Sequence, residues 1–246
     1  MSAYTTTQHD KSKVGRLYGV GIGPGDPELL TLKAQRVLTE VPVIFVPKKS
    51  KEDESIAESI ISKLIANTKA KVASITLPML RDKEKLRESW QQAADIIWLH
   101  LERGKDGAFV NVGDPLFYGT FIHVLRTLQT SYPETDVEII PSVSSLNAAA
   151  ARAAIPLASE NENIAVLSGN QKDETIRNVL ENFDTVVFMK VNTVFERLHT
   201  ILEEMNLKDK GIYVRKCTTE EEEIVWDIDC LHGKKLDYFS LLIVRR

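Results

Sequence analysis

The stretch RLYGVGIGPGDPELLTLKAQRVL, Arg16 to Leu38, reads as a β-strand, a glycine turn and an amphipathic helix. Apolar and β-branched residues run to Val20, glycine and proline dominate from Gly21 to Pro27, and apolar residues then recur at helical spacing. A strand at 15–20 feeding a helix at 29–40 is the first half of a βαβ unit. Asp26 is expected to cap that helix, with Pro27 in its first turn.

Beyond this stretch, short β-branched runs alternate with stretches of helical period, the pattern of a parallel sheet covered on both faces. Strands are expected near 15–20, 43–47, 72–77, 107–112 and 136–140, with helices near 29–40, 54–67, 82–102 and 117–130. A second series follows Pro141: helix 144–153, strand 163–168, helix 172–182, strand 184–189, helix 192–205 and strand 211–217. From Thr218 the rhythm changes to strand, turn, strand, with Glu222 to Ile228, a turn at Leu231 to Lys235, and Tyr238 to Val244. The fold class is therefore α/β, with two lobes of mainly parallel sheet, the second ending in antiparallel strands. The polar start 1–13 is expected to be disordered, 14–140 to form an N-terminal α/β domain and 141–246 a C-terminal one.

The 246 residues carry 43% hydrophobic and 27% charged side chains, ordinary for a soluble globular protein. No apolar run is long enough to span a bilayer, and the N-terminus has no leader-like apolar segment, so no membrane association and a cytoplasmic location are expected. Two cysteines, Cys217 and Cys230, suit free thiols in a reducing compartment. A net charge of −4 offers phosphate backbones no overall attraction, so no nucleic acid partner is expected. His9, His100, His123, His199 and His232 show no metal-ligand spacing, and no metal is expected. The acidic run Glu220 to Glu223 reads as a solvated loop or strand edge.

Three glycine- or serine-bearing loops carry the chemistry. In the first, Gly21-x-Gly23-x-Gly25 places Asp26 where the dinucleotide fingerprint needs its third glycine, and Val43 to Lys49 lacks the ribose-binding acid. No Gly-Lys-Ser/Thr follows, so it is not a phosphate-binding P-loop either. The second, Val112-Gly113-Asp114-Pro115-Leu116-Phe117-Tyr118-Gly119, follows a strand directly, where open α/β sheets bind ligands. Gly113 allows close backbone approach, and Phe117 and Tyr118 offer flat surface. The third, Pro141 to Pro156, places Ser144 and Ser145 ahead of an alanine-rich helix, able to cap it or to hydrogen-bond a ligand.

In order and spacing the three loops together resemble the tetrapyrrole methyltransferase family, of the class III methyltransferase type. That family carries a Gly-x-Gly-x-Gly-Asp-x-x-x-Leu-Thr start, a Gly-Asp-Pro-x-x-Tyr/Phe-Gly loop and a Pro-Gly-Ile-Ser/Thr-Ser/Ala element leading to Ile-Pro. The matching residues here are Gly21 to Thr31, Gly113 to Gly119 and Pro141 to Pro156, with Ser142 where most members have glycine. Asp184 to Val191 and Gly211 to Thr218 also look like the family's second-domain strands. The Tyr-Asp-Arg stretch of members that methylate uroporphyrinogen III is replaced by Val46-Pro47-Lys48, so its aspartate has no counterpart.

The resemblance implies a C-methyltransferase that uses S-adenosylmethionine and releases S-adenosylhomocysteine. Cofactor contacts are implied at Pro24, Val112, Gly113, Asp114, Phe117, Ser144, Ser145 and Lys190, with Tyr118 as a further candidate. A proline-ended second strand resembles the branch acting on C20 of precorrin-2 or cobalt-precorrin-2 in cobalamin synthesis. Its many carboxylates call for basic side chains, for which Lys48, Lys49, Arg81 and Arg152 are the candidates. No catalytic residue is assigned, and family members commonly pair as homodimers. The alternatives are another corrin carbon or diphthamide synthesis within the family. Outside it stand a nicotinamide-dependent oxidoreductase, which the glycine spacing disfavours, and a ligand-binding protein without turnover.

Overall fold

The computed structural model describes residues 14–50, 52, 55–78 and 82–246. The start at 1–13 and Arg81 lie outside the described residues. The chain divides into two compact units, residues 14–22 with 30–142, and residues 23–29 with 143–246.

The first unit runs β1 (Arg16–Gly21), α1 (Leu32–Glu40), β2 (Val43–Lys48), α2 (Ile56–Ile65), β3 (Lys71–Thr76), α3 (Lys83–Leu101), β4 (Gly107–Asn111), α4 (Phe121–Ser131) and β5 (Asp136–Ile140). All its strand pairs are parallel, in the order β3-β2-β4-β1-β5. Alternate side chains of the strands enter two cores, because successive residues point to opposite faces. Val20, Ile44, Ala108 and Val110 pack under α1 and α2, while Leu17, Phe45 and Phe109 pack under α3 and α4. Truncating a buried leucine such as Leu38 or Leu128 to alanine costs about 2–5 kcal/mol in such cores.

Side-chain caps mark the starts of α1, α2 and α3. Ser55 accepts a hydrogen bond from the Glu58 backbone N–H at 3.3 Å, and Asp82 accepts from Glu84 and Lys85 at 3.0 and 3.3 Å. The first helix departs from expectation. Asp26 accepts from the Glu28 N–H at 2.8 Å and so closes a short 3-10 turn at Pro27–Leu29. Thr31 caps α1 instead, accepting from Ala34 N–H at 3.1 Å. The proline and the Asx turn make a separate bend, so helical backbone begins only after Thr31.

The second unit runs α5 (Ser145–Arg152), β6 (Ile164–Ser168), α6 (Asp173–Asn182), β7 (Thr185–Met189), α7 (Phe195–Glu204), β8 (Gly211–Arg215), β9 (Glu223–Val225) and β10 (Ser240–Arg245). Its sheet order is β6-β7-β10-β8-β9, with only β6 and β7 parallel. The antiparallel ending expected from sequence is present. Its last two strands are not neighbours, however: β8 lies between β9 and β10. The first of them is also short, because Trp226 and Asp227 leave the ladder and Ile228–Leu231 form a 3-10 turn. One face of the sheet carries α6 and α7 over Val186, Phe188 and Leu242, and the other carries the alanines of α5 over Val187, Ile212 and Ile243.

Candidate functional site

In the first unit the candidate site forms beyond the carboxyl end of β4. Asn111, buried at the end of that strand, donates through Nδ2 to the carbonyls of Val112 (2.8 Å) and Asp114 (3.1 Å). Its own carbonyl accepts from the Ile22 N–H at 3.0 Å, which joins the ends of β1 and β4. Gly113 adopts a left-handed backbone, φ +71°, and a side chain added there would meet none of the described residues within 4 Å. Only glycine takes this conformation without strain, and it leaves the backbone open to a ligand.

Asp114 holds the loop in shape. One carboxylate oxygen accepts from the Leu116 N–H at 2.9 Å, and the other accepts from the Ser142 N–H at 3.1 Å, tying the loops after β4 and β5 together. Val112 is half-buried in the α1/α2 core. Phe117 and Tyr118 meet edge to face with centroids 5.0 Å apart, and Tyr118, 40% exposed, has φ +52°. Lys48 ends β2, on the same sheet edge, and pairs with Glu58 at 3.3 Å; Lys49 follows it.

In the second unit, Pro24 is buried in the turn that precedes the 3-10 bend. Ser144 occupies the N-cap position of α5 with extended backbone, but its hydroxyl donates to Asn147 Oδ1 at 2.6 Å and caps no backbone N–H. Ser145 opens the helix, half-buried. Lys190 has left-handed backbone (φ +58°), donates its N–H to the Ser240 carbonyl at 3.0 Å, and holds its ammonium 5.4 Å from the Tyr238 ring centroid. Arg152 is engaged by Glu222, with Nε at 2.8 and 3.1 Å from the two carboxylate oxygens. The acidic run is thus only partly a solvated edge, since the Glu222 side chain is 11% exposed. Cys217 and Cys230 are free thiols, the first buried and the second exposed.

Val112, Gly113, Asp114, Phe117 and Tyr118 therefore share one loop of the first unit, while Pro24, Ser144, Ser145, Lys190 and Arg152 belong to the second. Asn111, Ser142, Thr218 and Glu222 organise these loops and were not among the expected site residues. For Asn111 the signal was available: a lone amide at the end of an apolar strand, directly before Gly-Asp.

Among the described residues no helix is long and apolar enough to cross a membrane. The family model for tetrapyrrole (corrin/porphyrin) methylases matches residues 16–229. A probable cobalt-precorrin-2 C(20)-methyltransferase of Methanocaldococcus jannaschii is 34% identical over 239 residues, covering 95% of this chain and 97% of that one. A cobalt-precorrin-2 C(20)-methyltransferase of Salmonella typhimurium is 30% identical over 233 residues, covering 94% and 97%. In fold the chain is similar to a uroporphyrin-III C-methyl transferase from Thermus thermophilus complexed with S-adenyl homocysteine. There the TM-score is 0.65 at 22% identity, covering 94% of this chain and 98% of that one. With the loop after β4, the mixed second sheet and the extent of these matches in hand, the chain belongs to the tetrapyrrole methylase family.

Proposed function

We propose that the chain transfers a methyl group from S-adenosylmethionine to C20 of precorrin-2 or cobalt-precorrin-2, a step of cobalamin synthesis. The observation that carries this reading is end-to-end similarity, at 34% and 30% identity, to two relatives named for that reaction. Cobalt would arrive within the substrate.

The loop after β4 fits such a donor. Gly113 has an open flank and a backbone that a side chain would strain, and the Phe117 and Tyr118 rings offer apolar surface beside it. When bound, S-adenosylmethionine supplies a methyl group already activated on a sulfonium. Backbone groups of Val112 and Gly113 and the aromatic rings would hold it, with Asp114 keeping the loop in shape. By the family resemblance Pro24, Ser144, Ser145 and Lys190 are assigned as further donor contacts. A meso carbon of a reduced tetrapyrrole is enamine-like, so the chain's side chains orient and dehydrate the reactants rather than attack them. Lys48 and Lys49, at the carboxyl end of β2, are assigned to substrate carboxylates, with Lys48 drawn from its Glu58 pairing.

Incubation with methyl-labelled donor and either precorrin-2 or its cobalt complex tests the reading. Label at C20, located by NMR, is expected. Label at another ring carbon would discard the C20 assignment. The same reading places the protein in the cytoplasm as a homodimer, and light scattering at the mass of a single chain would overturn the dimer.

A further inference from the structure

Residues 216–222 follow β8 and adopt an unusual backbone. Lys216 has φ +44° and Thr218 has φ +66°. A β-branched residue in the left-handed region is a conformational outlier, retained where surrounding interactions over-determine it. Here they do. The Thr218 N–H donates to Glu222 Oε2 at 2.7 Å, and the Thr218 hydroxyl oxygen accepts the Asp26 backbone N–H at 3.0 Å. Glu222 is in turn gripped by Arg152, whose Nε and Nη2 each lie 2.8 Å from Oε1. Thr219 closes the loop on itself, donating its hydroxyl to the Lys216 carbonyl at 2.8 Å.

The other side of this arrangement is the turn that carries Pro24. A side chain at Gly25 would fall 2.5 Å from Thr219 Cγ2 and 2.8 Å from the Cys217 carbonyl. Glycine there lets the two segments touch backbone to side chain. The Asp26 N–H then has its partner in Thr218 rather than in its own turn. The chain thus runs from Arg152 on α5 through Glu222 and Thr218 to Asp26, all within the second unit.

We propose that Thr218, Glu222 and Arg152 form a clamp that fixes the Pro24 turn in the shape the methyl donor requires. They are positioning residues. Arg152 is on this account bound to Glu222 to hold the clamp, rather than reserved for a substrate carboxylate. A strained residue secured by hydrogen bonds on both sides pre-organises the turn, so the donor meets it already formed. The inference rests on the reading of Pro24 as a donor contact.

The test is calorimetric binding of S-adenosylhomocysteine to the full chain, paired with steady-state KM values for donor and tetrapyrrole. Thr218→Val, which removes the hydroxyl acceptor and keeps the shape, is expected to weaken S-adenosylhomocysteine binding about tenfold. It should raise the donor KM alone, and Thr218→Ser should restore both. Glu222→Gln is expected to shift the same quantities in the same direction by less, and it decides the matter should Thr218→Val not fold. Wild-type affinity in both Thr218→Val and Glu222→Gln, or in Glu222→Gln alone should Thr218→Val not fold, would overturn the clamp and leave the functional reading intact. Equal loss of donor and tetrapyrrole affinity, unrescued by Thr218→Ser, would make the loop merely structural and also overturn it. A wild-type chain that binds no S-adenosylhomocysteine would overturn the functional reading and the clamp together.

Discussion

Each unit carries a loop with left-handed backbone just beyond a strand, and the two are held in different ways. Gly113 takes φ +71° beside open space, whereas Thr218 takes φ +66° with bonds on both sides of it. A glycine reaches this conformation freely and leaves its flank clear, which suits a backbone that a ligand approaches. A threonine reaches it only under constraint, which suits a backbone that must not move. The first loop is open on its flank, the second bonded on both sides.

Thiol chemistry gives the largest test of that contrast. Cys217 lies in the held loop, and burial pushes its thiol from the ordinary 9.0 up to about 12, whereas Cys230 is exposed. The thiolate fraction falls tenfold per unit, so at about pH 8 Cys217 holds about a thousandth of an ordinary thiol's thiolate and, being buried, should react with a disulfide reagent far more slowly. Cys230 should react promptly. Two fast thiols in the native protein would show that the held loop opens.

Asp114→Ala should come next. It strips the acceptors from the Leu116 and Ser142 N–H groups and is expected to cost about 1–3 kcal/mol in urea unfolding, with weaker donor binding. An unchanged midpoint and affinity would remove Asp114 from the site. Gly113→Ala acts on the open loop itself, since a methyl group at this φ should cost about 1–2 kcal/mol. It should also reduce S-adenosylhomocysteine affinity, because the methyl fills space that no described residue occupies. Wild-type affinity would show that the donor does not use that flank. Ser144→Ala should be smallest, with stability within about 0.5 kcal/mol, because the hydroxyl bonds only a neighbouring side chain. A modest loss of donor affinity is expected, and none at all would take Ser144 off the donor surface.

The fold was legible in the sequence wherever one periodicity ruled. Val43 to Val46 and Ala108 to Val110 are β-branched or apolar runs at the centre of the first sheet, and they appear as strands as read. Legibility failed where two local signals competed. Asp26, followed by Pro27 and a helical period, reads as the cap of the first helix, but its Asx turn closes a 3-10 bend and Thr31 caps α1. It failed again where sequence order and spatial order part: β9 and β10 follow one another in the chain, but the pairing that buries Leu242 and Ile243 puts β10 against β7 and β8. In the site, the loop from Val112 to Tyr118 could be read because its glycine, proline and aromatics are local. Glu222 could not, since an acidic run gives no sign that one carboxylate finds an arginine 70 residues away.

The position of β10 bears on how the molecule is made. The strands of the first unit lie between residues 16 and 140, so that sheet can complete as soon as those residues have left the ribosome. The second sheet waits for residues 240–245, because β10 separates β7 from β8. Throughout that interval a nascent chain holds β7 and β8 with facing edges bare, the condition in which strands pair with the wrong neighbour. The time taken to deliver residues 216–245 after β8 then sets how long those two edges stay open to such pairing.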